Sequence, residues 1–280
     1  MSYGTGLLVA GALLYLGFVY APQVKADVGT LLGAVEMRLR LASSMPATGK
    51  DGTPVKARAD LASQARKLLD DADAQQTDYP PARELRAQLL YLEGHYAEAA
   101  AIYAWLCQCE SSTPEQRDLF ALNQSRMLRA AGDAKGAERA LDAHGQQFLA
   151  KNAAESRIER ALVLVDLGRT GEAVESITRL AAETEAPMVL LAAGFFLERH
   201  GQVEVADSAY QKAASTEPIA DYYRARLKVK RKEYDIGMNL LRASDARRRS
   251  EGPRPVATGP RDLVALCAHQ ALQGSARACQ

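Results

Sequence analysis

The sequence predicts an all-α fold. Alanine and leucine are abundant, while β-branched runs and alternating aromatics are scarce, a composition that loses little side-chain entropy in helices. Apolar residues recur at three- and four-residue spacing in successive segments. Between residues 92 and 213 one glycine, alanine, bulky-residue pattern returns four times.

With 280 residues, 48% hydrophobic and 25% charged, the chain is long enough for one or two domains with a real core. A formal net charge of +1 gives no global pull toward nucleic acid, so any basic contact must be local. Of the four cysteines, Cys107 and Cys109 stand two apart at a helix end, where their side chains diverge and cannot close a normal bridge. Neither a C-x-x-C pair nor zinc spacing occurs, and free, partly buried thiols are the expectation. A Cys267–Cys279 bridge stays open.

Residues 7–21 (LLVAGALLYLGFVYA) lie in a stretch without charge from Met1 to Val24. At about 1.5 Å per residue the run is short for a bilayer core of about 30 Å, and the flanking residues bring it near the lower limit. Tyr3 and Tyr20 flank it as interfacial aromatics would. The reading is an uncleaved transmembrane anchor over residues 1–24. A cleaved secretory signal and a buried core helix are the alternatives. Against the signal, no Lys or Arg precedes the run, and the small-residue site after Ala21 is followed by Pro22. Lys25, Arg38 and Arg40 follow the segment, which places the C-terminal body in the cytoplasm, with a periplasmic body as the alternative. Small residues four apart, Gly6 with Ala10 and Gly17 with Ala21, permit close contact with another membrane protein's helix.

Residues 25–79 form a juxtamembrane helical region. Within it, residues 26–43 carry Leu31, Leu32, Val35 and Leu39 on one stripe and are expected to pack on the body. Residues 45–54 (MPATGKDGTP) are a loop. Gly49-Lys50 resembles a phosphate loop only superficially, since the earlier glycine is missing and Asp51 stands where Ser or Thr is needed. Residues 55–76 are a further helix with Leu61, Ala65, Leu68 and Leu69 on one face, and Pro80-Pro81 enforce a break.

The repeat is the decisive pattern. LEGHYAEAAAIYAWL, AAGDAKGAERALDAH, DLGRTGEAVESITRL and RHGQVEVADSAYQKA align without gaps. Gly94, Gly132, Gly168 and Gly201 are each followed five residues later by Ala99, Ala137, Ala173 or Ala206. Four residues further on stand Tyr103, Leu141, Ile177 and Tyr210. A glycine can take the left-handed geometry that closes a first helix, and the alanine lets the second helix approach it. The bulky residue one turn on fills the groove to the next hairpin.

These blocks resemble the tetratricopeptide repeat, a 34-residue helix–turn–helix unit with a Gly…Ala-x-x-x-Phe…Pro signature. The fourth fits best, with Gly194 at the small position of its first helix, Ala206-x-x-x-Tyr210, and Pro218 at the closing offset. A fifth unit over residues 221–244 has Gly237 where the alanine should be. The signature alanines step by 38, 36 and 33 residues, and the Trp-x-x-Leu-Gly opening is absent, so the repeats are degenerate. The resemblance implies a right-handed helical-hairpin solenoid of four to five units over residues 80–250. Residues 251–280 then hold a linker and a C-terminal helix, residues 261–273 (RDLVALCAHQALQ), that caps the array.

No catalytic fingerprint, metal set or cofactor motif appears, so a non-enzymatic scaffold is expected. His95 and His200 occupy equivalent turns and read as solvated. The family binds protein segments along its first helices. Its register implies a partner groove of Glu84, Gln88, Tyr91, Asn123, Arg126, Arg129, Ile158, Leu162, Val165, Leu191 and Phe195. Glu84, Ile158 and Leu191 stand where some relatives place carboxylate-binding residues, which argues against that mode.

Residues 224–254 carry eleven Lys or Arg against four acids. Arg224, Arg226, Lys228, Lys230, Arg231, Lys232, Arg247, Arg248 and Arg249 read either as a solvated face or as a surface for anionic lipid or an acidic partner. Nucleic acid is disfavoured because no aromatics interleave with the charges. The expected role is a membrane-anchored adaptor for protein partners. An exported assembly chaperone, or a lipid- or RNA-binding module using the basic region, is the alternative.

Overall fold

Proline and capping chemistry set where the helices begin. The computed structural model describes residues 27–49, 52–145 and 148–250. The expected anchor over residues 1–24, the helix over residues 261–273, and Cys267 and Cys279 lie outside the described residues. Twelve helices and no strand are found among the described residues, and none of these helices is long and apolar enough to cross a membrane. The chain divides into two compact units at Glu93/Gly94.

In the first unit, α1 (Val28–Ser44) opens on Asp27, whose carboxylate accepts from the Thr30 amide at 2.8 Å. It pairs with α2 (Lys56–Gln75) across a loop at residues 45–55. Pro80 and Pro81 then occupy the first positions of α3 (Pro80–Glu93), where a missing amide hydrogen costs nothing. The proline pair that breaks one helix therefore starts the next. Leu31, Leu32, Val35 and Leu39 bury against Ala62, Ala65, Leu69 and Ala72, with Ala82 and Leu89 closing the cluster. The stripe on α1 is thus satisfied within the protein. Arg86 of α3 bridges Asp70 and Asp73 of α2, each at 2.8 Å, which ties α3 to this unit although the repeat pattern assigns it to the next.

The second unit begins with α4 (Tyr96–Gln108) and continues as four hairpins. These are α5 (Pro114–Ala130) with α6 (Ala134–His144), α7 (Ala150–Asp166) with α8 (Thr170–Glu183), α9 (Pro187–Arg199) with α10 (Val203–Ala213), and α11 (Ile219–Lys230) with α12 (Tyr234–Ser250). Thr113 and Gln116 form a reciprocal capping box at the start of α5. First helices α5, α7 and α9 adjoin in sequence, and so do second helices α8 and α10. The result is a helical-hairpin repeat array.

Each hairpin turns on one residue at positive φ: Gly132 (84°), Gly168 (79°), Gly201 (78°) and Lys232 (65°). All four turns close with the same hydrogen bond. The amides of Asp133, Arg169, Gln202 and Glu233 donate to the carbonyls of Leu128, Leu164, Leu197 and Lys228 at 2.8–2.9 Å. This is the Schellman arrangement, which satisfies carbonyls left open at the helix end. Ala137, Ala173 and Ala206 are fully buried, as are Ile177 and Tyr210, with Leu141 almost so. In the last hairpin, Gly237 replaces the alanine because a Cβ there would stand 3.0 Å from the Val229 side chain and 3.2 Å from the Ala225 carbonyl.

Two polar features fix neighbouring elements. Asp118, fully buried on α5, accepts from His144 Nε2 (2.7 Å), the Leu149 amide (2.9 Å) and Asn152 Nδ2 (2.8 Å). One carboxylate so joins α5, the end of α6 and the start of α7. Burial alone would raise its pKa, but these donors hold it below the usual carboxylate value. Lys212 of α10 donates to the Ala181 carbonyl at 3.3 Å, capping the C-terminal end of α8.

Two stability effects follow. Lys232→Gly relieves a lysine held in left-handed geometry and should raise the unfolding free energy by about 1 kcal/mol in urea titration. Gly194→Ala should lower it by about 2–3 kcal/mol, because the new Cβ would stand 2.5–2.9 Å from the buried Tyr210 ring.

Candidate interaction surface

The surface expected from the sequence divides between the two units. Glu84, Gln88 and Tyr91 stand half-buried on α3 of the first unit. Burial pushes the Glu84 carboxyl above its usual range, repulsion from Glu36 adds to this, and its hydrogen bond with Gln88 opposes it. The remaining expected residues sit on α5, α7 and α9 of the second unit.

There, most of them join one hairpin to the next. On α5, Arg126 donates to Asn123 (3.1 Å) and pairs with Glu155 (2.5 Å) and Glu159 (3.5 Å) of α7. Arg129 pairs with Glu159 at 3.2 Å and with Asp166 at 2.6 Å. Glu159 is itself buried, and also accepts from Ser125 at 3.3 Å. Its oxygens are thus met from two arginines and a hydroxyl, so the buried carboxylate is not left without partners.

Ile158 and Leu191 are core residues and present no surface to a partner. The family register placed them on the binding side, but in this chain they are apolar and pack inward against Leu164, Ile177 and Leu197 within one continuous cluster. Leu162, Val165 and Phe195 lie at its edge, half-buried. Phe195 meets the Tyr223 ring edge-on at 4.3 Å and Tyr210 at 5.7 Å, and Arg226 sits 5.9 Å over its face. The aromatic position that looked available therefore links α9 to α11. Asn123, Arg126, Arg129, Leu162, Val165 and Phe195 are half-buried, in contrast to Ile158 and Leu191.

The basic run of residues 224–231 is built into the fold. Asp207 of α10 takes Arg224 at 3.0 Å and Lys228 at 2.9 Å. Glu198 at the end of α9 takes Arg226 at 2.5 Å and Lys230 at 2.7 Å, and accepts from the Tyr210 hydroxyl at 3.2 Å. Arg231 pairs with Glu204 (3.2 Å) and Glu233 (2.9 Å). A local count of charge could not find Asp207, Glu198 and Glu204, because they stand 17 to 32 residues upstream of their cations, on the preceding hairpin. Lys232 is exposed in its turn. The side chains of Arg247, Arg248 and Arg249 lie outside what the structure describes.

Both acceptors of this ladder are depressed. Burial would raise Glu198, but Lys230 and Arg226 hold it below the usual carboxylate range, and Lys228 and Arg224 do the same for Asp207. A carboxylate lower in the folded than in the unfolded chain stabilises above its unfolded value, about 4, and loses that stabilisation as pH falls through the folded value. Stability should therefore drop below about pH 4. Glu198→Gln should cost about 2 kcal/mol at pH 7 and flatten that acid decline in a series of urea titrations.

Comparison with known proteins leaves the reading to the chain's own geometry. No family model and no curated protein matches the sequence. Among solved structures, the chain is similar to one described as "Crystal structure of APC/C hetero-tetramer Cut9-Hcn1", with a TM-score of 0.49 and 14% identity over 92% of this chain. It covers 46% of that chain, so it spans less than half its length. At that distance no partner or activity carries over.

Proposed function

We propose that this chain is a scaffold of the tetratricopeptide-repeat type, held at a membrane by residues 7–21, with its repeats binding a segment of a protein partner. The observation that carries the reading is the fourfold return of one hairpin turn, with a positive-φ residue at the same place and the same closing hydrogen bond. Serial hairpins expose a long run of first helices, a geometry suited to an amphipathic or extended peptide.

The binding side is Asn123, Arg126, Leu162, Val165 and Phe195, which runs from polar at α5 to apolar at α9. Arg126, held by Asn123, Glu155 and Glu159, gives the α5 end of this side its positive charge. Another membrane protein is the favoured partner, since the small-residue spacing in residues 6–21 permits helix contact within the bilayer. Binding rather than catalysis is the role. The body lies in the cytoplasm by the charges that follow the anchor.

The test is carbonate extraction and protease protection of the full chain, combined with photo-crosslinking from Leu162 and, as a control, from Glu175 on the exposed side of α8. Retention in the carbonate pellet, protection until the membrane is opened, and adducts from Leu162 but not Glu175 are expected. Release by carbonate with Leu162 adducts intact would overturn the anchor alone. Equal or absent adducts at the two positions would overturn the binding side.

A further inference from the structure

The second helices α6 and α10 hand polar groups to the hairpin that follows them. Counted from the positive-φ residue of each turn, the positions used are the third, sixth and tenth. On α6, Glu138 and Asp142 meet Arg169 and Arg160 of the next hairpin at 2.7 and 2.6 Å. On α10, Glu204 meets Arg231 at 3.2 Å, and Asp207 meets Arg224 and Lys228 at 3.0 and 2.9 Å. Gln211 also accepts from Arg224, at 3.4 Å. On α8 the three positions hold the uncharged Gly171, Val174 and Thr178.

In the last hairpin the same positions are Asp235, Met238 and Arg242 of α12, and no hairpin follows among the described residues. Asp235 and Arg242 are exposed and form no ion pair with a described residue. The same holds for Lys232 in the turn and for Asp245, three residues beyond Arg242. Met238 is 46% exposed between them, and Tyr234, one turn before it, is 58% exposed.

Asp235, Met238, Arg242 and Asp245 follow at steps of three, four and three, so they form one stripe of the kind along which helices pair. Its order is acid, apolar, base, acid, with Lys232 just ahead of it. Two such helices running antiparallel about a two-fold axis between Met238 and Asn239 place position 235 opposite 242, and position 245 opposite 232. All four charges of each copy then meet the opposite sign, and Met238 meets its equivalent near the axis. A parallel pair would instead set acid on acid and base on base. A closed two-fold interface requires a patch that is complementary to itself, which this stripe is only in the antiparallel sense. An anionic lipid surface calls for charge of one sign, and two acids with two bases do not supply it.

We infer that the protein pairs with a second copy of itself through α12. The helices lie antiparallel, Asp235 faces the second copy's Arg242, and Asp245 faces the second copy's Lys232. The pair takes up the junction charges that a further hairpin would otherwise meet, and it covers Met238.

Charge reversal in the full chain, held in mild detergent, tests the register. Asp235→Arg sets base against base, and Arg242→Asp sets acid against acid. Each alone should weaken self-association about tenfold in analytical ultracentrifugation. Mixed together under different tags, the two variants regain opposite signs at both contacts, and a mixed dimer should form about as tightly as the unaltered one. With Cys107→Ser, Cys109→Ser, Cys267→Ser and Cys279→Ser, Met238→Cys should form a disulfide between copies on mild oxidation, whereas Glu175→Cys should not. A single-chain mass for the unaltered protein, association untouched by either reversal, or a mixture no tighter than its components would overturn the inference. Equal linking from Met238→Cys and Glu175→Cys would overturn it too.

Discussion

Each hairpin of the second unit depends on bringing two helices so close that at most a methyl group fits between them. The approach is set at the turn. One residue at positive φ reverses the chain within a Schellman arrangement, and five residues later the second helix crosses the first at Ala137, Ala173 or Ala206, all without solvent exposure. At Gly194 even the methyl is too large, since the Tyr210 ring fills the space where it would stand. Because the contact is that short, the bulky residue one turn later is forced into the gap toward the neighbouring hairpin. A single backbone conformation thereby fixes the core of one hairpin and the interface to the next.

Charge then decides which hairpin follows which. Arg126 and Arg129 meet Glu155, Glu159 and Asp166; Arg160 meets Asp142 at 2.6 Å; Arg224 and Lys228 meet Asp207. Each pair is specific to one junction, so hairpins exchanged in order would leave buried carboxylates such as Glu159 without cations. Paired burial of this sort contributes little net stability compared with an apolar equivalent, while a mismatch is costly. The ladders work chiefly as a register, and the apolar cluster around Ile177, Leu197 and Tyr210 supplies most of the cohesion.

The turn glycines, the small alanines and the bulky partners were legible in the sequence because each reflects a local steric rule with a fixed spacing. The stripe on α1 was legible for the same reason. What the sequence did not reveal is long-range. Ile158 and Leu191 look like binding positions in register but are core, since the first helices here turn apolar residues inward. The basic residues 224–231 look like a free patch because their acids stand on the previous hairpin. Asp118 carries no local mark at all, yet it joins three helices, and only the fold brings His144, Leu149 and Asn152 to it. Lys232 was equally hidden, because a lysine in left-handed geometry can be inferred only from the turns it copies.

The ion pairs named above between hairpins run from one hairpin to its immediate neighbour. Mechanically this makes the second unit a set of links in series. Tension applied along the chain is borne by each junction in turn and is not shared across the whole body. Pulled from its two ends, the second unit would therefore yield one hairpin at a time, extending in steps while the remaining hairpins stay folded.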